Sequence, residues 1–332
     1  MKKLEFSKFG RPKDALSLVD GPSRGPEAGE VRLRVEAAPI NPADLLLISG
    51  EYGYRPELPA TPGLEGVGRV VEKGEAVSHL KLDDVVLLPL GHGSWAQEVT
   101  VDATGLFALP DDVDPLQLAM LAVNPLTASA LLSDITKLAA DDWVLLNAAN
   151  SAVGQYVLEI ASRRNLRTVA IVRRGGGLIM RLKERGATEV IVDRGQNLAA
   201  DILAVTGGLS TPLALDAVGG PATAALAGAL SDGGQLVNYG AMAGAPCDVP
   251  AQDLVFRGID VRGFWLTRWI AQVGPERVRQ RIEELADMLR EGRLRADVYG
   301  TYDLSHYKAA FKALQDSART GKILFTPGIA EH

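Results

Sequence analysis

The stretch Asp142-Trp143-Val144-Leu145-Leu146-Asn147-Ala148-Ala149-Asn150-Ser151-Ala152-Val153-Gly154-Gln155, continuing into Tyr156-Val157-Leu158-Glu159-Ile160-Ala161, decides the fold. An apolar run of strand length gives way to a turn of small residues, and apolar residues then recur at helical spacing. After Arg163-Arg164-Asn165-Leu166-Arg167 a second β-branched run, Thr168-Val169-Ala170-Ile171-Val172, ends directly on Arg173-Arg174. This is a βαβ unit of the dinucleotide-binding kind. A pyrophosphate approaching a helix N-terminus meets free N–H groups and the positive end of the helix dipole, and it needs small side chains to do so. Ala148, Ala149, Ala152 and Gly154 provide that space. The glycine signature G-x-G-x-x-G is absent and only its last glycine, Gly154, remains, so the turn by itself leaves nucleotide binding open.

The end of the second strand says more. An acidic residue there receives the ribose 2′-hydroxyl of NAD, whereas arginine pairs with a 2′-phosphate. Arg173 and Arg174 therefore point to NADPH, with a solvated basic strand end as the alternative.

Beyond this unit the strand–helix alternation continues through Val190–Asp193, Leu213–Gly220, Gln235–Gly240 and Asp260–Leu266, which predicts a parallel sheet covered by helices. Ligand sites in such sheets form at the carboxyl ends of the strands, where Gly219-Gly220 and Gly240 fall. The triplet Gly175-Gly176-Gly177 reads as a mobile turn, and Pro275 to Glu291 as a long amphipathic helix. The first third of the chain reads differently. Val31-Arg32-Leu33-Arg34-Val35 alternates as a half-buried strand, Gly21-Pro22 and Gly25-Pro26 mark turns, and Val67–Val71, Val85–Leu88 and Gly93–Val99 add further β structure. Within this barrel-like lobe Asn41 caps a short helix opened by Pro42, and Gly50 to Pro59 forms an irregular loop. Leu116 to Leu132 reads as two helices parted near Asn124-Pro125, with Asn124 placed to cap the second. The tail, with Tyr307 to Gln315 and Lys322–Phe325, returns to complete the first lobe.

Composition narrows the function classes. The 332 residues suffice for two domains, and 47% hydrophobic with 23% charged residues is ordinary for a globular protein. A net charge of −6 without a basic patch argues against nucleic acid. No run reaches the length of a membrane span and Met1-Lys2-Lys3 leads straight into the first strand, so the expected location is cytoplasmic. Cys247 is the single cysteine, and His79, His92, His306 and His332 show no ligand spacing, so neither a disulfide framework nor a Cys/His zinc site is expected.

Six stretches together carry a family likeness: Ala38–Asp44; Tyr52-Gly53 with Pro56–Pro59; Val123-Asn124-Pro125; Asn147–Gln155; Tyr239–Met242; and Arg262–Leu266. On these the chain resembles the zinc-independent medium-chain dehydrogenase/reductases, and within them the trans-2-enoyl-thioester reductases of the mitochondrial fatty-acid-synthesis type. Quinone oxidoreductases share much of the scaffold. The resemblance implies an α/β fold with a GroES-like catalytic lobe (1–122 and 294–332), a Rossmann NADPH-binding domain (123–293), and the cofactor in the cleft between them. It also implies a homodimer joined along the sheet edge near Phe264-Trp265. Zinc-using relatives carry a histidine where this chain has Leu64, and family members often carry a further basic residue where it has Gly175.

Reducing an α,β-unsaturated thioester requires a hydride at the β carbon, stabilisation of the developing enolate and a proton at the α carbon. By resemblance Tyr52 is the acid, since a phenol with an ordinary pKa of about 10 is protonated at neutral pH; a packing tyrosine like Tyr54 is the alternative. The likeness further implies that Asn124 holds the nicotinamide end, and that Asn150, Ser151, Ala152 and Val153 form the pyrophosphate turn. Arg173 and Arg174 take the adenosine phosphate, Tyr239, Gly240, Ala241, Met242, Phe264, Trp265 and Leu266 lie along the cofactor, and Lys322 sits near it unless it is merely solvated. Trp95 lines an acyl pocket or belongs to the core, and Glu65 is left unassigned. The implied substrates are enoyl-CoA or enoyl-carrier-protein thioesters. A quinone or small-enone reductase on the same scaffold, and a cofactor-binding sensor without catalysis, are the alternatives.

Overall fold

A computed structural model describes residues 1–316 and 319–327; His332 lies outside them. Contacts divide the chain into two compact units, Met1–Val123 with Arg279–His332, and Asn124–Val278.

The strands, in chain order, are β1 (Lys2–Phe6), β2 (Leu16–Asp20), β3 (Glu30–Pro39), β4 (Val67–Lys73), β5 (Val85–Leu87), β6 (Glu98–Asp102), β7 (Trp143–Leu146), β8 (Arg167–Val172), β9 (Glu189–Val192), β10 (Leu213–Asp216), β11 (Gln235–Asn238), β12 (Asp260–Gly263), β13 (Val298–Tyr302) and β14 (Lys322–Phe325).

The first unit is built on β3, whose ten residues alternate inward Val31, Leu33 and Val35 with outward Arg32 and Arg34. Its sheet runs β13-β14-β3-β4-β5, with β6 pairing β3 as well, and β1 and β2 form a separate antiparallel pair. Inward side chains meet around Trp95, which is fully buried, stacked edge-on against Phe325 at 5.2 Å and donating its indole N–H to the Pro39 carbonyl at 3.3 Å. Trp95 is a core residue, with its one polar atom satisfied inside the core, rather than a pocket wall.

The second unit is a parallel sheet in the order β12-β11-β10-β7-β8-β9. β7 and β10 are buried at every position, as strands covered on both faces must be. The helix Ala152–Arg163 links β7 to β8 and buries Tyr156, Val157, Leu158 and Ile160. Gly175-Gly176-Gly177 is not a free turn: Gly176, at φ 67°, bends the chain and Gly177 opens the helix Gly177–Glu184.

The second division falls within the helix Pro275–Arg290 at Val278/Arg279, whereas the sequence reading carried the Rossmann domain to 293. The helix's later part belongs by contact to the first unit. The Arg279 guanidinium lies 5.0 Å above the Phe107 ring, and Arg290 pairs with Asp112 at 2.8 Å. No helix among the described residues is long and apolar enough to cross a membrane.

Candidate active site

In the second unit, sequence order reverses between β7 and β10, and such a switch point opens a crevice beyond the strand ends. The turn after β7 begins with Ala148 at φ 46°. The Ser151 hydroxyl then caps the helix Ala152–Arg163 by accepting the Gly154 N–H at 3.1 Å, and the Gln155 amide donates to the Asn150 carbonyl at 3.1 Å. Ala152 and Val153 form the first helical turn, with their small side chains only partly buried. At Gly154 a Cβ would stand 2.6 Å from the Ala149 carbonyl, so the glycine is required by the turn's own backbone.

The strand ends beneath this turn are tied by side chains. Asn147 donates to Asp216 Oδ1 at 2.6 Å and accepts the Ala217 N–H at 2.7 Å. Asp216 also receives the N–H groups of Val218 and Gly219 at 2.9 Å, the Thr223 hydroxyl at 2.7 Å and the Asn238 amide at 3.4 Å. Burial pushes the Asp216 pKa up, but the bonds from Gly219, Asn147, Thr223 and Val218 outweigh it and leave the carboxyl below its ordinary value. The Tyr239 hydroxyl is buried, and its polar neighbour is the Ser151 hydroxyl, to which it makes no well-formed hydrogen bond. Burial, then the Asp216 charge, raise its pKa, and the nearby Ser151 hydroxyl opposes them.

Arg173 and Arg174 are exposed immediately after β8, and neither makes an ion pair among the described residues. A Cβ at Gly175 would stand 3.2 Å from the Val192 side chain, a tight contact at the position where family members often carry a further basic residue. A Cβ on Gly240 would stand 2.7 Å from the Ala217 carbonyl, while Ala241 and Met242 are exposed beyond it. Phe264 donates its N–H to the Asn238 carbonyl at 2.8 Å, Trp265 caps the next helix and Leu266 is buried in its first turn. Asn124 is buried as the first residue of the helix Asn124–Ser133, followed by Pro125.

In the first unit, the helix Pro42–Ser49 opens with Asn41 at its cap and Asp44 accepting the Asn41 N–H at 2.7 Å, and it closes at Gly50 with φ 79°. The Glu51 and Tyr52 N–H groups both turn back to the Leu46 carbonyl. Tyr52 is half-buried, its ring edge-on to Tyr54 at 5.3 Å. Arg55 braces the loop, donating to the Gly50 carbonyl at 2.9 Å and covering the Phe9 ring at 5.2 Å. Tyr52 is thus held by a short backbone turn on a capped helix.

Lys322 is not a solvated lysine. Pairing of β14 with the end of β3 brings it beside Asn41, and it is only 8% exposed. Its ammonium donates to the Ile40 carbonyl at 3.1 Å and to Asn41 Oδ1. The Asn41 amide in turn donates to Glu65 Oε1 at 2.9 Å, and Glu65 Oε2 receives the Val123 N–H at 2.8 Å. Burial lowers the Lys322 pKa while Glu65 and Asp44 oppose it; burial raises that of Glu65, opposed by Lys322. Both Glu65 oxygens accept N–H bonds, and the Asn41 amide stands between the carboxyl and the ammonium, so the two charged groups are linked through Asn41 and coupled electrostatically. Asp44, which also receives the Leu64 N–H at 2.7 Å, is pushed by burial to about 6.

Sequence reading left Glu65, Asn147 and Asp216 without roles. The available signal was an acidic or amide residue at the border of an apolar run, in Leu64-Glu65-Gly66, Leu146-Asn147 and Leu215-Asp216. Among the described residues no cluster of His, Cys, Asp and Glu is arranged to hold a metal ion.

Comparison with known proteins fits this geometry. Residues 27–111 match the family described as alcohol dehydrogenase GroES-like domain, and residues 185–324 the one described as zinc-binding dehydrogenase. The chain belongs to the medium-chain dehydrogenase/reductase superfamily of oxidoreductases, with the α/β fold and the GroES-like and Rossmann parts expected of it. Within it the chain belongs with the enoyl-[acyl-carrier-protein] reductases named as mitochondrial; it is 35% identical to that of Mus musculus over 97% of this chain and 88% of the relative. The structure of the Etr1p/NADP/crotonyl-CoA complex is similar at a TM-score of 0.88 and 27% identity, covering 98% of this chain and 99% of the other. A quinone oxidoreductase of Pseudomonas syringae pv. Tomato DC3000 is similar at 0.87 and 26%, with coverage of 98% and 99%.

Proposed function

We propose that the protein uses NADPH to reduce the C2=C3 double bond of trans-2-enoyl thioesters, enoyl-CoA or enoyl-carrier-protein. The observation that carries this reading is the full-length likeness to enoyl-[acyl-carrier-protein] reductases across both units.

The second unit offers what a phosphorylated dinucleotide requires. A turn of small residues precedes the N-terminus of a twelve-residue helix, two unpaired arginines follow the next strand, and the buried Tyr239 phenol lies beside the Ser151 hydroxyl of that turn. In this reading Asn150, Ser151, Ala152 and Val153 hold the pyrophosphate and Arg173 and Arg174 the 2′-phosphate. Asn124, Tyr239, Gly240, Ala241, Met242, Phe264, Trp265 and Leu266 hold the nicotinamide half, and Lys322 is the first unit's cofactor residue in this reading. The bound NADPH supplies the hydride that reaches C3. Tyr52 then gives its hydroxyl proton to C2, so that the enolate collapses to the saturated thioester. Two copies join along the β12 edge, whose four residues are half-buried or exposed.

The quinone oxidoreductase likeness supports a second reading on the same scaffold, one that needs no proton donor at Tyr52. The relatives are named as mitochondrial, whereas we place this protein in the cytoplasm; cell fractionation distinguishes the two. NADPH oxidation followed with trans-2-enoyl-CoA esters from crotonyl to dodecenoyl, beside a panel of quinones, separates the two activities. Turnover with thioesters is expected; turnover with quinones alone would sink the thioester reading and leave the cofactor standing.

A further inference from the structure

The switch point of the second unit is closed by a side-chain bond. Asn147 directly follows β7, Asp216 ends β10, and these neighbouring strands are the ones between which the sequence order reverses. The 2.6 Å bond from the Asn147 amide to Asp216 Oδ1 spans the two, while the other arm of Asn147 takes the Ala217 N–H. A fully buried carboxylate beneath a turn that would receive phosphates carries an unfavourable sign of charge, so its presence asks for a reason. Acceptor capacity supplies one. A carboxylate offers roughly four lone-pair sites, whereas an asparagine in its place would offer about two and turn an N–H toward donors. Asp216 gathers donors from β7, from the turn after β10, from the helix Pro221–Ala229 and from the end of β11.

We propose that Asp216, through Asn147, is a positioning residue of the dinucleotide site: their bond sets the spacing of β7 and β10, and so the shape of the Ala148–Ser151 turn and the place of Tyr239. The proposal rests on the reading that this unit binds NADPH. Tyr239 follows Asn238 directly, its own N–H donates to the Asp216 carbonyl at 2.9 Å, and its buried hydroxyl lies beside that of Ser151, the residue that caps the helix after the turn. The same residue is therefore tied to Asp216 by its backbone and set beside the turn by its side chain.

Three variants of the full chain test this: Asp216→Asn, the exchange Asn147→Asp/Asp216→Asn, and Thr223→Val. The exchange rebuilds the β7–β10 bond and the acceptor for Ala217 while abandoning the Val218 and Gly219 bonds. Thr223→Val removes a donor on the helix side and leaves Asn147–Asp216 intact. Dissociation constants for NADPH are read from its fluorescence, KM and kcat from turnover, and folding from circular dichroism. Asp216→Asn is expected to weaken NADPH by about tenfold or more, as the loss of a charged hydrogen bond does, with the KM for NADPH rising more than kcat falls. The exchange restores most of the affinity and Thr223→Val leaves it nearly unchanged. Asp216→Asn that melts earlier yet binds NADPH like the wild type overturns the proposal, as does equal weakening in all three variants. A wild type that binds no NADPH would instead remove the reading on which the proposal stands.

Discussion

Removing either charge of the buried Lys322–Glu65 pair is predicted to harm the first unit more than removing both. Lys322→Met takes the donor from Asn41 Oδ1 and the Ile40 carbonyl and leaves the Glu65 carboxylate without its counter-charge in a fully buried place. Glu65→Gln keeps the side-chain length, but its amide turns an N–H toward Asn41 Nδ2 or the Val123 N–H, both donors, and strands the ammonium. Breaking a buried pair by taking one partner costs about 3–5 kcal/mol, whereas replacing both charges can be close to neutral. In the double variant the remaining losses are polar atoms left short of partners around Asn41 and Ile40, about 1–3 kcal/mol each, but no uncompensated buried charge. The singles would sum to about 6–10 kcal/mol, so the pair shows a coupling of several kcal/mol. Unfolding of a chain with two units is not a single transition, so hydrogen exchange of peptides from β3 and β14 reports on this unit beside calorimetry. At about 2–4 °C per kcal/mol for a unit of this size, each single variant lowers its melting temperature by roughly 10 °C. Single losses below about 1 kcal/mol, the range of exposed pairs, or a double loss equal to the sum of the singles, would refute the reading of a buried ion pair.

Tyr52→Phe removes one hydroxyl and keeps the ring that packs on Tyr54, so enoyl-thioester turnover falls by about 100-fold with NADPH affinity unchanged, while quinone reduction, if present, continues. Arg173→Ala and Arg174→Ala each remove a charge-assisted partner of the 2′-phosphate and shift the NADPH-to-NADH preference by about tenfold; because neither arginine forms an ion pair among the described residues, thermal melts should not move. Gly154→Ala places a Cβ 2.6 Å from the Ala149 carbonyl, and calorimetry should show a loss of about 1–3 kcal/mol in the second unit together with weaker NADPH binding. The Asp216 carboxyl is held below its ordinary pKa of 3.8, so the stability it contributes is present above that value and is lost as pH falls through the lower folded value. The gap between wild type and Asp216→Asn in urea titrations is accordingly expected to be widest near neutral pH and to narrow in acid; a gap that widens in acid would reverse the sign of that shift.

The parallel sheet was legible because β7, β8 and β10 are near-continuous apolar runs separated by helical patterns, and a buried parallel strand can hardly be written otherwise. The glycines were harder to read. Gly154 looks like a ligand-facing glycine in sequence, and the structure adds that the turn's own Ala149 carbonyl needs the space. Gly63 in the first unit likewise makes room for Ser94, whose hydroxyl would be 2.3 Å from an added Cβ. Sequence states that something comes close without stating what it is. Lys322 shows the same limit for charge: whether a lysine in Gly321-Lys322-Ile323 is solvated or buried depends on β14 pairing with β3 from nearly the other end of the chain, a contact that no local pattern encodes. The boundary within the Pro275–Arg290 helix was hidden because a helix is locally the same whichever unit it packs on.

The two buried carboxylates solve one problem in different ways, and the difference bears on what each can do. Asp216 is held ionised by neutral donors, which keep its pKa below the ordinary value, so it stays charged around neutral pH without help from a counter-charge. Glu65 has two N–H donors and depends on Lys322 for the rest, and burial opposes the charged form of each. Its charge state is therefore tied to that of its partner. Because Glu65 also holds the Val123 N–H, and Asn124 is the next residue in the chain, a change in the pair would be felt at the backbone leading into that helix. A rigid carboxylate beneath the dinucleotide turn and an adjustable pair beside Val123 form a division of labour that an apolar core, satisfied everywhere and titrating nowhere, would not provide.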